Sequence, residues 1–420
     1  MKNPVLFKIS NAIIYIVTTY LITYACVIYS HNHSNSKLAE AVTYPASIIY
    51  QFLGDFKNKG VNVFLSGQIV KKSSLEVNQL ENSLYLFKID VEHENLICVD
   101  LKSQARKVVF PLDESFRKFN SNTRFSIAID SNLRRVYITE FIGAVNDAKG
   151  NKLWAYDFSG QLLYVQRYNF QFHHRLAIYG GLVYANVRRK ISLDSSTEDY
   201  INDEGYVCLN SEGQVLNEFW LYDNIKELDS IMPINRLINN TSYKIDPFHV
   251  NDVEVALDIK QGGMIKNGDV FISVRHLSCI VQIRDNSIIR VISGSFNQQH
   301  DVDIVNENVL RIYNNNSARS YFNLSEWYSN VVTYNLETEE ERTDFNELAM
   351  NSITEGQIQD VNNFVVIENQ NEHELIVLDD DKIVFRGGVR YPNVENQNLY
   401  EILTWAPVLS YDPFKSIISN

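Results

Sequence analysis

Cysteine is scarce in this chain of 420 residues, and the cysteines that are present do not group. The four are Cys26, Cys98, Cys208 and Cys279, and no two of them form a C-x-x-C pair. Metal binding by thiolates is therefore not expected, and the spacing indicates no disulfide framework.

An excess of positive charge is also missing, because the formal net charge is -13 at pH 7. Neither nucleic acid nor an anionic membrane surface is therefore a natural partner. The G-x-G-x-x-G, Walker, G-x-S-x-G and H-E-x-x-H motifs do not occur, which argues against the common nucleotide-binding and hydrolase sites. No long helical pattern follows Gly60.

Residues that favour β-strands are abundant, with 24 Tyr and 22 Phe alongside many Val and Ile. From Val61 onward, short apolar runs alternate with turns such as Asp-x-Gly, the pattern of β-hairpins. Two hairpins, at 156–164 and 209–219, are near copies of each other. At about 40–50 residues per four-stranded unit, residues 61–411 have room for six blades, and we expect an all-β, six-bladed propeller with residues 400–413 supplying closing strands.

The N-terminal part has a different character. Residues 9–29 are apolar and uncharged, which is about the length that crosses a bilayer as a helix. Lys2 and Lys8 precede this run, so we expect a single-pass anchor in the cytoplasmic membrane with the propeller on the periplasmic side. A cleaved signal peptide is the alternative, although no small-x-small cleavage site is present. The predicted domains are a transmembrane anchor at 1–30, a juxtamembrane linker or short helix at 31–60 and the propeller at 61–420.

The stretch from Asp246 to Asn316 places polar residues at matching points of successive β-units. His249, Arg275 and His300 are separated by about one small antiparallel sheet each, and apolar runs such as Val270–Val274 lie between them. In a propeller, residues at the same phase of each repeat converge on the central axis. We therefore expect these three side chains to meet there.

This stretch resembles the bacterial arylsulfotransferases. Their pattern of D-x-x-H-x-N, G-x-x-x-[IVL]-S-x-R, F-x-x-Q-H-D and F-D-N-G is matched by Asp246, His249 and Asn251, by Gly268, Ser273 and Arg275, by Phe296, Gln299, His300 and Asp301, and in weakened form by Tyr313–Asn316. The resemblance covers 246–316 closely and 151–386 loosely. It implies a propeller that moves a sulfuryl group from an aryl sulfate to a phenolic or other hydroxyl acceptor, with no nucleotide donor.

The resemblance also implies roles for individual residues. His300 would be the nucleophile and form a sulfohistidine, and either Asp301, Gln299 or a backbone group would fix its tautomer. Arg275 and Asn251 would bind the sulfuryl oxygens, and His249 would act as acid or base. The candidate substrate-binding residues are Asn251, His173, His174, Gln299, Asn315 and Thr354. His276 follows Arg275 and is expected to point away from it, in a structural role.

No cofactor is expected, and no metal ion. Three histidines meeting at an axis could bind zinc, but an arginine among them opposes the charge of a metal ion. The expected partners are an aryl sulfate donor and a phenolic acceptor, the membrane through the N-terminal helix, no nucleic acid, and in addition a second copy of the chain in a homodimer.

A membrane-anchored propeller that binds a glycan or a protein partner without chemistry is the alternative function. Three departures from the family pattern favour it. Arg175 stands where the family has an aspartate after His-His, the last motif is weakened to Tyr-Asn-Asn-Asn, and no close cysteine pair lies near His300.

Overall fold

The computed structural model describes residues 77–119, 124–141, 150–192, 200–226, 228, 245–317, 328–352, 354–389 and 405–414, which all belong to one compact unit. The predicted anchor at 1–30, the predicted linker at 31–60 and the first residues of the predicted propeller domain lie outside these ranges. Among the described residues, no helix has the length and apolar character needed to cross a membrane.

The described chain folds into six antiparallel sheets, which confirms the predicted six-bladed, all-β propeller. The first strand of the chain, β1 (Val77–Asn78), belongs to blade 6. Blade 1 consists of β2 (Tyr85–Asp90), β3 (Asn95–Asp100) and β4 (Arg106–Pro111), and the late strand β25 (Val408–Leu409) completes it. Blade 2 consists of β5 (Arg124–Asp130), β6 (Arg135–Phe141), β7 (Lys152–Asp157) and β8 (Leu162–Arg167).

The remaining blades follow in chain order. Blade 3 consists of β9 (Gln171–Tyr179), β10 (Leu182–Ser192), β11 (Tyr200–Leu209) and β12 (Val215–Trp220). Blade 4 consists of β13 (Val250–Val255), β14 (Val270–Val274), β15 (Cys279–Arg284) and β16 (Ser287–Ile292). Blade 5 consists of β17 (Val302–Asn306), β18 (Val309–Asn314), β19 (Asn330–Asn335) and β20 (Glu341–Asp344). Blade 6 consists of β21 (Gln357–Val361), β22 (Phe364–Asn369), β23 (Glu374–Asp379) and β24 (Lys382–Gly387), together with β1. Short 3₁₀ helices occupy Glu114–Lys118, Arg275–Leu277, Asn346–Leu348 and Gln370–Glu372.

The two near-copy hairpins turn in the same way. The Asp157 side chain accepts hydrogen bonds from the backbone N–H groups of Ser159 and Gln161 at 2.8 and 2.9 Å. Gly160 has a φ of 85°, and a Cβ there would lie 2.5 Å from the Cβ of Phe110, so the turn requires glycine. An Asx turn followed by a left-handed glycine therefore explains why Asp-x-Gly predicts these hairpins correctly.

Both ends of the described chain close the ring. Strand β25 pairs with β2 (Leu86 with Val408), which makes a segment close to the C-terminus the inner strand of blade 1. Strand β1 pairs with β24 (Val77 with Arg386) and adds a fifth strand to blade 6. The predicted closing role of residues 400–413 is confirmed for the part of them that the structure describes.

The core lies between neighbouring blades. Separate apolar clusters join blade 1 to blades 6 and 2, blade 2 to blade 3, and blade 5 to blades 4 and 6. Trp154 is fully buried between blades 1 and 2, where its indole packs 4.8 Å from the Phe116 ring and donates to Ser115 Oγ. The packing of each sheet on the next fixes the positions of the inner strands around the axis.

Buried carboxylates connect one blade to the inner strand of the next. Each accepts a hydrogen bond from a backbone N–H group, which removes the cost of leaving that group unpaired at the axis. The backbone N–H of Val250 donates to Glu204, that of Val302 to Asp252 (3.0 Å), that of Ile358 to Asp301 (2.6 Å) and that of Trp405 to Glu368 (3.1 Å).

Candidate active site

One end of the propeller axis collects the polar residues. The inner strands of blades 2 to 6 are β5, β9, β13, β17 and β21, and β25 is that of blade 1. Residues at or just before the starts of these strands are Arg124, His173 and His174, His249, His300, Glu355 and Trp405. Arg275 and Asn315 directly follow β14 and β18, which run antiparallel to the inner strands and therefore end at the same side.

Left-handed backbone places several of these side chains. His174, His249 and Trp405 have φ values of 56°, 53° and 50°, a region that residues other than glycine rarely adopt. In a regular strand, His173 and His174 would face opposite sides. Because His174 is left-handed and the register of β9 with β10 shifts there, both imidazoles reach the site. Strained backbone of this kind is concentrated at functional sites.

Four imidazoles form a continuous cluster. The ring of His173 lies 4.1 Å from that of His174 and 5.0 Å from that of His249. Nε2 of His174 lies 3.2 Å from Nε2 of His249. The expectation that His276 points away is wrong, because Arg275–Leu277 is a 3₁₀ helix and its side chains do not alternate as in a strand. The His276 ring packs 4.6 Å from the His249 ring.

His249 is held in place by Asp246. Its Nδ1 lies 2.6 Å from Asp246 Oδ2, and its side chain is 22% exposed, so it can meet a ligand that enters from solvent. Burial works to raise the pKa of Asp246, but the adjacent His249 outweighs it and holds that pKa below its ordinary value. Asp246 therefore stays ionised and can stabilise a protonated His249.

His300 is fully buried, and its tautomer follows from its neighbour. Nδ1 of His300 lies 2.6 Å from Oδ1 of Asn315. The Asn315 amide nitrogen donates to the carbonyl oxygens of Ser352 and Glu355, each at 2.7 Å, so the amide oxygen must face the imidazole. An amide oxygen accepts only, and Nδ1 therefore carries the proton. The lone pair is left on Nε2, which has no hydrogen-bond partner among the described residues.

Burial and nearby cations keep His300 neutral. Burial lowers the pKa of His300 well below its usual value, and the charges of Arg275 and His174 act in the same direction, whereas Glu355 opposes them. The pKa of His174 is likewise depressed, by burial and by His249, Arg124 and Arg275. An imidazole with a free lone pair on one nitrogen and a fixed proton on the other is a competent nucleophile at neutral pH.

Arg275 supplies positive charge at the same place. Its backbone N–H donates to the His249 carbonyl at 3.1 Å, and its guanidinium Nη2 donates to Gln298 Oε1 at 3.3 Å. The side chain is buried beside the imidazoles, and a guanidinium there can bind two oxygens of one sulfuryl group. The structure thus brings His249, Arg275 and His300 to one end of the axis. The expectation that one small sheet separates each from the next is wrong for His249 and Arg275, because they lie at the start of β13 and the end of β14 within blade 4.

Two residues of the site, Glu355 and Trp405, were not predicted from the sequence. Glu355 lies 3.5 Å from His174 Nδ1, pairs with Arg124 at 2.5 Å and accepts the Trp405 indole N–H at 3.1 Å. The Trp405 ring packs 5.9 Å from that of His174. Neither residue belongs to the quoted motifs, and the nearest predicted residue to Glu355 in the sequence is Thr354. Gly356 follows Glu355 with a φ of 142°, and a Cβ there would lie 2.2 Å from the Tyr313 ring.

Several predicted contacts are made differently. Asp301 and Gln299 do not fix the His300 tautomer, because Asp301 accepts from Ile358 N–H, and Gln299 donates to Ser273 Oγ and the Cys279 carbonyl. Asn251 donates to the backbone oxygen of Gln299 at 2.8 Å, so it supports the segment before His300.

Asn315 uses its side-chain oxygen on His300 and its amide nitrogen on two carbonyls, so its side chain positions His300 and is not a substrate contact in this structure. Thr354 is half-buried, and its neighbour Glu355 makes the contacts to the cluster.

The departure at Arg175 also has a structural role. Its guanidinium lies 3.5 Å from Asp252 and 3.8 Å from Asp301, the carboxylates that connect blade 4 to blade 5 and blade 5 to blade 6. It also lies 5.6 Å from the centre of the Trp405 ring. Arg175, Trp405 and other inner-strand residues such as Tyr179 line a cavity of about 220 Å³.

Within the described residues, two groups have the composition of a metal site. His173, His174 and His249 each place one ring nitrogen within 4.8 Å of the others, and Asp246, His249 and His276 form a second such group. The first offers three imidazole nitrogens, which are ligands that zinc and copper prefer.

Comparison with known proteins gives a family and a general fold. The family model for Arylsulfotransferase (ASST) matches residues 144–390. No curated protein matches at a significant level. The chain is similar to a protein of unknown function from Bacteroides caccae (12% identity, 73% of this chain and 93% of that one, TM-score 0.43). It is also similar to virginiamycin B lyase from Staphylococcus aureus (8% identity, 76% and 88%, TM-score 0.40).

The two structural likenesses are too distant to support any inference about chemistry. The family match is different in kind, because it spans more than half of the chain and includes His173, His249, Arg275 and His300. This protein belongs to the arylsulfotransferase (ASST) family.

Proposed function

We propose that this protein transfers a sulfuryl group from an aryl sulfate ester to a phenolic or other hydroxyl acceptor, with His300 carrying the group between them. The observation that supports this most is the orientation of His300. Its Nδ1 is fixed by Asn315 at 2.6 Å, and its buried Nε2 is left with a lone pair at the end of the axis where Arg275 and His249 also lie.

In the first half-reaction, His300 Nε2 forms a bond to sulfur while the bond from sulfur to the aryl oxygen breaks. The departing phenolate takes a proton from His249, whose imidazolium form is stabilised by Asp246. Arg275 neutralises the sulfuryl oxygens as charge builds on them. In the sulfated imidazole the proton stays on Nδ1, which continues to donate it to Asn315 Oδ1.

In the second half-reaction, the acceptor hydroxyl gives its proton to the now neutral His249, and its oxygen attacks the sulfur. The bond from sulfur to Nε2 breaks, and His300 returns to its original state. The proton borrowed from His249 is restored, so the cycle needs no cofactor and no outside acid. Two such steps predict ping-pong kinetics.

The test is turnover of a chromogenic aryl sulfate in the presence of assorted phenols. We expect phenol-dependent release of the chromophore by the wild type and none by His300→Ala. The matched control is His93→Ala, because His93 pairs with Asp90 on the surface with 65% of its side chain exposed. If the wild type turned over no aryl sulfate, or if His300→Ala retained turnover, the proposal would be wrong.

We also propose that the propeller acts outside the cytoplasmic membrane, tethered by a helix at 9–29. The support is the uncharged apolar run and the preceding Lys2 and Lys8 in the sequence, and these residues lie outside the described ranges. A reporter that is active only outside the cytoplasm, fused after Asn420, should be active. A fusion that is active only in the cytoplasm would contradict the proposal.

A further inference from the structure

We propose that His173, His174 and His249 form an open site for one zinc ion, and that zinc bound there blocks sulfuryl transfer. The binding stands on the geometry of the cluster alone. The inhibition rests on the function proposed above, because zinc would occupy the nitrogen of His249 that serves as acid and base.

The distances between ligand atoms suit one ion. Zinc binds imidazole nitrogens at 2.0–2.1 Å, so two nitrogens of a tetrahedral site lie about 3.3 Å apart. Nε2 of His174 and Nε2 of His249 are already 3.2 Å apart. One ring nitrogen from each of His173, His174 and His249 lies within 4.8 Å of the others, so a modest rotation of the His173 ring would complete three ligands. His249 faces solvent, which leaves the fourth position accessible to water.

The surroundings supply the contacts that orient metal-binding histidines. Such a histidine usually gives its other ring nitrogen to a carboxylate or a backbone carbonyl. Nδ1 of His249 is held by Asp246 at 2.6 Å, and Nδ1 of His173 lies 3.1 Å from the Val250 carbonyl and 3.6 Å from Glu204. Both rings are therefore oriented by contacts at Nδ1.

The charge of Arg275, which argues against zinc in the sequence, lies near acidic groups. Arg124 is paired with Glu355 at 2.5 Å, and Asp246 adds a carboxylate beside His249. The charge that Arg275 adds is therefore not isolated. A zinc ion bound by the three imidazoles would therefore have both positively and negatively charged side chains around it.

The alternative group of Asp246, His249 and His276 is less suited to an ion. Asp246 Oδ2 and His249 Nδ1 are only 2.6 Å apart, the separation of a hydrogen bond, and a metal ion between them would have to force them apart. Nδ1 of His276 is already 2.6 Å from the Asp246 carbonyl. The two groups share His249, so His173 and His276 distinguish them.

The first experiment is calorimetric titration of the purified, chelator-treated full chain with zinc alone. We expect one zinc ion per chain in the wild type. His173→Gln should weaken binding at least 10- to 100-fold, the loss that even an outer-shell change often causes. His276→Gln and His93→Gln should bind zinc as the wild type does. Absence of stoichiometric binding, or its loss in His276→Gln while His173→Gln binds normally, would overturn the site.

Cobalt gives a second readout that does not depend on activity. Cobalt substituted into the site should show the strong visible absorption of a four-coordinate ion in the wild type and in His276→Gln. His173→Gln should show only the weak bands of a six-coordinate ion. Equal spectra for the two variants would contradict the assignment.

The inhibitory role is tested separately, by aryl sulfate turnover with and without zinc. Zinc should abolish turnover at one equivalent, and a chelator should restore it. Zinc binding without any turnover in the metal-free protein would refute the proposed function but leave the site intact. Turnover unaffected by bound zinc would overturn the inhibition.

Discussion

Asn315 is the residue whose substitution tests the tautomer of His300 most sharply. Asn315→Leu has nearly the same shape but removes the oxygen that holds His300 Nδ1 at 2.6 Å. The imidazole can then place its proton on Nε2, where it blocks the lone pair that attacks sulfur. Leaving a buried donor unpaired costs about 1–3 kcal/mol, so kcat should fall roughly 5- to 150-fold. The Michaelis constant for the aryl sulfate should change little.

The structure limits the damage to folding in this variant. The Asn315 amide also donates to the carbonyls of Ser352 and Glu355, but each keeps another donor. Ser329 Oγ donates to the Ser352 carbonyl, and Ser352 Oγ donates to the Glu355 carbonyl. Asn315→Leu should therefore fold, with a free energy of unfolding lowered by about 1–3 kcal/mol.

Asn314→Leu is the matched control for this experiment. Asn314 is also buried and also makes three hydrogen bonds, accepting from the backbone of Asn297 and Asn316 and donating to Asn330. None of them involves an imidazole. Asn314→Leu should lose similar stability and keep its kcat, measured per folded molecule by burst-corrected steady-state assays.

A second variant separates the lost acceptor from the changed shape. Asn315→Asp keeps an oxygen against His300 Nδ1, so its kcat should exceed that of Asn315→Leu, and the acid limb of its pH profile should move upward because the carboxylate favours the imidazolium. If Asn315→Leu kept full kcat, or if Asn314→Leu lost as much, the proposed control of the tautomer would be wrong.

Three further predictions address charge, pH and ring closure. Arg275→Lys keeps the charge but loses the planar fork, so kcat should fall roughly 10-fold or more, whereas Arg284→Lys outside the site should be silent in the same assay. Burial raises the pKa of Glu254 and of Glu368 to about 8. Stability from their protonated forms is complete below the ordinary value of 4.5 and is lost as pH rises through about 8. The melting temperature should therefore fall as pH rises from roughly 5 to 8 and level off above it, and Glu254→Gln should reduce that fall; a flat curve over this range would contradict the reasoning. Val408→Pro removes an N–H donor in the closing strand and should lower the free energy of unfolding by about 1–3 kcal/mol in urea titrations, and an unchanged value would show that closure there contributes little.

The propeller could be predicted from the sequence because its signals are local. The Asp157 and Asn210 turns are fixed by residues four apart or fewer, and each marks one hairpin. His249 and His300 could be selected because they occupy matching places before the inner strands of blades 4 and 5, and a propeller brings such places to the axis. Arg275 does not share that phase, because it follows β14 in the same blade as His249. The blade number was predicted from the hairpin repeats together with the family resemblance.

The details of the site could not be predicted, because they depend on long-range contacts and on irregular backbone. Glu355 and Trp405 come from blades 6 and 1, far along the chain from the motifs, and meet His174 only in the closed ring. The left-handed φ at His174 and the 3₁₀ helix at His276 break the alternation on which the sequence argument relied. These local irregularities bring both side chains into the cluster.

The most direct test of the account is the mass of the quenched protein after exposure to an aryl sulfate without acceptor. We predict that the wild type gains the mass of one SO₃ group, that peptide mapping places it on His300, and that adding a phenol removes it. His300→Ala should gain nothing under the same conditions. An SO₃ group on another residue, or turnover without any covalent adduct in the wild type, would contradict the central claim that His300 carries the sulfuryl group.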